Sequence, residues 1–193
     1  MITINSYQRS GNVFFSLSIY SLTGISVRAL HDSNLYYDHL TPQVAIFRNP
    51  VDAISSKIYK DLDEHILNNT NHMSELDIIQ RELKFDVEEY KKYVIDAMSN
   101  KKNLVIISFN DIKFDSDVIS LKVLSHFKIK LREKKVGKSM KELMTDEKLV
   151  DKYSGHLPRE KDENRLLIEE IVRDSEDIKE AIDAYNSIEY TIF

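Results

Sequence analysis

Two short stretches carry residues whose types and spacing could do chemistry. The first is Val44-Ala45-Ile46-Phe47-Arg48-Asn49-Pro50-Val51-Asp52-Ala53-Ile54-Ser55-Ser56-Lys57, an apolar run that ends in Arg48 and then takes up helical spacing. Asn49 suits an N-cap, Pro50 suits the first helical position because it has no N–H to leave unpaired, and Asp52 suits the positive first turn. The stretch therefore reads as strand, turn, helix. Ser56 follows Arg48 by eight residues, about two helical turns on, where a hydroxyl and a guanidinium could share one phosphate. A solvated strand-end arginine and a serine bonded to its own helix would account for the same residues without an anion.

The second stretch is Gln8-Arg9-Ser10-Gly11-Asn12, between the alternating run Ile2–Tyr7 and a dense apolar segment from Val13 to Leu22 that ends near Gly24. Strand, glycine-bearing loop and buried helix form an arrangement that aims backbone N–H groups at an anion. An ordinary turn has the same sequence. Gly-x-x-x-x-Gly-Lys-Ser/Thr is absent, which counts against an ATP- or GTP-hydrolysing loop.

The elements that must position these turns can be read from the pattern. Strands are expected at 2–7, 25–30, 43–47 and 103–109, the last continuously apolar as a buried parallel strand should be. Helices are expected at 13–22, 51–69, 77–81, 86–99, 115–127 and 162–187. Strands alternating with helices imply an α/β fold, a mostly parallel sheet flanked by helices, with anion sites at the carboxyl ends of its strands. No repeat or low-complexity linker divides residues 1–193, so one domain is expected.

Both turns resemble motifs of one family, the sulfotransferases that use 3′-phosphoadenosine 5′-phosphosulfate (PAPS). Phe47-Arg48-Asn49-Pro50-x-Asp52-x-x-x-Ser56 is similar to their 3′-phosphate motif. Tyr7-Gln8-Arg9-Ser10-Gly11-Asn12-Val13-Phe14 is similar to their 5′-phosphosulfate loop, with Arg9, Gly11 and Phe14 at the basic, glycine and aromatic positions and Asn12-Val13 in place of two hydroxyl residues. Asn12 keeps an amide donor and Val13 has none. His31 ends a candidate strand 17 residues before Arg48, where the family places a catalytic base after a lysine, here replaced by Arg28. Beside Asp32 it also reads as a surface histidine. Phe109-Asn110-Asp111-Ile112 resembles the aromatic-Glu-Asp-Leu segment that closes a buried strand.

The resemblance covers residues 2–57 well and 103–127 loosely, and implies the P-loop-like sulfotransferase fold and sulfuryl transfer from PAPS to an acceptor hydroxyl or amine. In that reading Arg9 and the loop through Ser10, Gly11, Asn12, Val13 and Phe14 hold the 5′ end, Arg48 and Ser56 the 3′-phosphate, and His31 takes the acceptor proton. Arg9 also neutralises charge on the leaving phosphate. A late basic segment closes over the cofactor, either 128–141, which as a charge run reads first as a solvated face, or 154–161, where Arg159 is the candidate. The chain is short for this family, so acceptor-pocket helices are missing or supplied by residues 60–100. No metal is required.

Composition bounds these readings. The chain has 193 residues, 42% hydrophobic and 31% charged, no cysteine and a formal charge of −5. That describes a globular protein with a core of ordinary size and neither disulfide nor thiolate chemistry. No bilayer-length apolar run or signal peptide is visible, a nucleic-acid surface is disfavoured, and a cytoplasmic location is expected. His65 and His72 lack metal-ligand spacing. The partners expected are a small-molecule, carbohydrate or peptide acceptor, with oligomeric state left open. Two other readings stand beside the transferase: a catalytically inactive PAPS/PAP-binding protein of the same fold, and a nucleotide kinase.

Overall fold

The computed structural model describes residues 1–8, 11–30, 41–67, 74–101, 104–129 and 161–193, without the side chains of 63–67. The chain is α/β. Strands β1 (Ile2–Ser6), β2 (Val27–Leu30), β3 (Gln43–Phe47) and β4 (Leu104–Ser108) form one all-parallel sheet in the order β2-β1-β3-β4. Helices α1 (Asn12–Thr23), α2 (Pro50–Leu67), α3 (Glu75–Ser99), α4 (Phe109–His126), α5 (Glu163–Asp174) and α6 (Ile178–Asn186) cover it.

The period-two rule sorts the strand side chains into two cores. Val44 and Ile46 of β3 join Ile2, Ile4, Val105 and Ile107 beneath α1 and α4. Ala45 and Phe47 point the other way and join Leu104 and Ile106 beneath α2, α3, α5 and α6. With both faces covered, β1 and β3 are buried along their whole length, which is why period-two alternation is a poor guide to β1. The outer rim of β4 is not bare: the Thr191 N–H donates to the Ile106 carbonyl and the Ile106 N–H to the Thr191 hydroxyl, each at 2.8 Å.

Several boundaries differ from the expectations. The helices expected at 77–81 and 86–99 are one continuous α3, started by Ser74, whose hydroxyl accepts from the Asp77 N–H. Asp86, which looks like a helix-opening acid, instead turns inward within it. Phe109 opens α4 rather than closing β4, because Ser108 caps the helix at the Asn110 N–H, and α4 kinks at Asp115. The long helix expected over 162–187 is two, since Ser175 is extended and its hydroxyl accepts from the Asp177 N–H, a local turn that competes with the helix. Among the described residues no helix is long and apolar enough to cross a membrane.

Candidate functional site

From adjacent strands the chain departs to opposite sides. After β1 it enters α1, on the face that α1 shares with α4, and after β3 it enters α2, on the other face. The carboxyl ends of β1 and β3 therefore flank the point where strand order reverses, the place where open α/β sheets characteristically offer a crevice between the two departing turns. Both stretches singled out above lie there.

At the β1 turn, Gly11 takes a left-handed conformation (φ 85°, ψ 17°) and precedes α1 with no side-chain cap. Asn49, Ser74, Ser108 and Asp162 each cap the helix they open with a side-chain oxygen, which a glycine at this position cannot supply. A second constraint acts on Gly11: a Cβ there would sit 2.5 Å from the Phe109 ring. Asn12 is buried and its amide donates to the Leu30 carbonyl at 2.7 Å, tying the start of α1 to the end of β2, directly before His31. Val13 is half-buried, and Phe14 packs into the core beneath α1 and α4.

At the β3 turn, Asn49 caps α2 as its sequence predicts, its side-chain oxygen accepting from the Val51 N–H at 3.0 Å, with Pro50 as the first helical residue. Arg48 is half-buried and lays its guanidinium over Phe109, 5.0 Å from the ring centre. One aromatic ring therefore touches both turns, and the sequence alone gives only its place at the end of a strand. Ser56 lies on α2, 3% exposed. Arg9, Ser10, His31 and Arg159 lie outside the described residues, as does most of 128–141.

Asp52 links the β3 turn to the stretch expected at 154–161. Lys161 pairs with Asp52 at 2.9 Å and also with Glu169, which in turn meets Arg173 at 2.6 Å. Burial would raise the Asp52 pKa, but the bond from Lys161 and the nearby Arg48 charge hold it below the ordinary carboxylate range. Lys161, the last residue of the 154–161 segment, is thereby anchored beside the Arg48 turn.

Beneath the crevice lies a buried polar cluster with no signal in the sequence beyond the i,i+4 pair Lys57–Asp61. Asp86 of α3 is fully buried, 3.0 Å from the Lys57 ammonium, which Asp61 shares at 2.7 Å. Tyr7, the residue after β1, has its hydroxyl pKa pushed up by burial and by the Asp86 carboxylate. Burial raises Asp86 to about 6, outweighing an ammonium it must share with Asp61. Lys57 itself rises, because the two carboxylates more than offset its own burial.

Because the folded-state pKa of Asp86 lies above its unfolded value, its contribution to stability is full below about pH 4 and is lost as pH rises through 6. The loss is on the order of a few kcal/mol. Asp86→Asn carries no titrating proton. Its melting temperature should therefore gain on that of the unaltered protein as pH rises from 4 to 7. A constant gap between the two melting curves across that range would assign the titration elsewhere.

Among the described residues, no group of three or more His, Asp or Glu side chains could hold a metal ion. No family model matches the chain, and no curated protein matches its sequence.

Proposed function

We propose that the crevice between β1 and β3 binds a doubly phosphorylated adenosine and that the protein is a PAPS-dependent sulfotransferase of the P-loop-like sulfotransferase fold. The observation that carries this reading is the convergence of the Gly11 turn and Arg48 on one ring, that of Phe109. Two anion-binding turns that share a neighbour suit a ligand with a phosphate at each end better than a ligand with one.

The N–H groups at the start of α1 and the side chain of Arg9 would hold the 5′-phosphosulfate. Arg48 and Ser56 would hold the 3′-phosphate, next to a helix start whose dipole favours anions. In the reaction the acceptor oxygen or nitrogen attacks sulfur in line, the bond from sulfur to the bridging phosphate oxygen breaks, and His31 takes the acceptor proton. The products are the sulfated acceptor and 3′,5′-ADP. The protein's contribution is positioning and charge stabilisation, as in phosphoryl transfer.

One observation favours a second reading, a binding protein without turnover. The Asn12 amide bonds the Leu30 carbonyl and Val13 offers no side-chain donor, so two positions that carry hydroxyl groups in the resembling motif bring none here. Two measurements separate the readings. The melting temperature should rise with 3′,5′-ADP and not with ATP; the reverse preference would favour a nucleotide kinase. Radiolabelled sulfate from PAPS should reach an acceptor, and the transfer should vanish in His31→Ala. Ligand-induced stabilisation with no transfer to sugars, phenols, peptides or amines selects the binder.

A further inference from the structure

Asp86, Tyr90 and Tyr93 follow one another on α3 at i, i+4 and i+7 and so share a face. Each of the two tyrosines is fully buried and gives its hydroxyl hydrogen to a main-chain carbonyl, and the two carbonyls lie at the carboxyl ends of the two strands that flank the crevice. Tyr90 donates to Arg48 at 2.6 Å, the residue just past β3, and Tyr93 donates to Asn5 at 3.0 Å, the penultimate residue of β1. The Tyr90 ring also meets Tyr7 edge-on at 5.2 Å, and Tyr7 is the residue that leads β1 into its turn. Tyr90 thus touches both turns from below, as Phe109 does beside Arg48 and Gly11.

We propose that Tyr90 is a positioning residue, a tether that fixes the spacing between the β1 and β3 turns so that one ligand can engage both. The inference rests on the reading of the crevice as a bisphosphate site, and it adds a residue outside the resembling motifs. A hydroxyl on a main-chain carbonyl restrains where the Arg48 backbone sits without touching the ligand. The ring contact with Tyr7 carries the same restraint to the other turn. A ligand held at one turn needs no fixed spacing. A ligand held at both gains its second contact only if the turns are already the right distance apart.

The test compares three ligands on the full chain: 3′,5′-ADP, which spans both turns, and adenosine 3′-phosphate and adenosine 5′-phosphate, which each reach one. Tyr90→Phe keeps the ring and its packing and removes one hydrogen bond. It should weaken 3′,5′-ADP by roughly tenfold while changing either monophosphate by less than about threefold. Tyr93→Phe, which loosens β1 rather than β3, should shift the ratio in the same direction. Affinity for all three ligands falling together in Tyr90→Phe would mean a general loosening and would overturn the tether. An unchanged ratio in Tyr90→Phe would overturn it as well, whatever Tyr93→Phe does. If the unaltered protein fails to bind 3′,5′-ADP, the reading of the crevice falls and the tether with it; binding with an unaltered ratio removes the tether alone.

Discussion

Gly11→Ala should lower the stability of the fold by about 3 kcal/mol, which for a chain of this size is roughly 6–12 °C in melting temperature. Two causes add. An alanine held at φ 85° is strained by about 1–2 kcal/mol. Its Cβ would also meet the Phe109 ring at 2.5 Å, so the ring must shift and disturb the Arg48 guanidinium stacked on its face. Thermal and urea unfolding read the result directly. Because Phe109 must give way, the variant should also bind 3′,5′-ADP more weakly than its lost stability explains. A loss of stability below about 1 kcal/mol would show that turn and ring adapt together, and the glycine would then answer to neither constraint.

Arg48→Ala should weaken 3′,5′-ADP by about 2–4 kcal/mol, as expected for removing a charge-assisted contact from a half-buried anion site. The fold should survive, since the strand before Arg48 and the cap after it are held by groups other than its side chain: Asn49 keeps the Val51 N–H, and Tyr90 bonds the main-chain carbonyl. Arg48→Lys should recover only part of the loss, because an ammonium supplies charge but neither a bidentate fork nor the same stacking on Phe109. Calorimetry with 3′,5′-ADP measures both variants. An unchanged dissociation constant in Arg48→Ala would refute the site.

The parts of this fold that were legible in the sequence are those fixed by local chemistry. Asn49-Pro50 specifies the start of α2, Gly24 closes α1 with a left-handed residue, and the runs expected as strands at 43–47 and 103–109 contain the parallel strands β3 and β4. Each depends on neighbours a few residues away. The parts that were not legible depend on distant partners. Nothing around Phe109 announces that its ring serves both Gly11 and Arg48, and nothing around Tyr90 or Tyr93 distinguishes them from ordinary core tyrosines. The division of α3 failed for a related reason. Asp86 has the residue type of a helix start, and only its pairing with Lys57 of α2 explains an aspartate inside a buried helical face.

The hydrogen bonds that Thr191 exchanges with Ile106 have a consequence for how this molecule behaves at high concentration. A row of open amide and carbonyl groups along β4 would be an invitation for another chain to dock there as an extra ribbon and begin a stack. By filling both groups of Ile106 with one residue, half of it through a hydroxyl rather than a main-chain atom, the chain places an irregular stopper that cannot itself be extended in register.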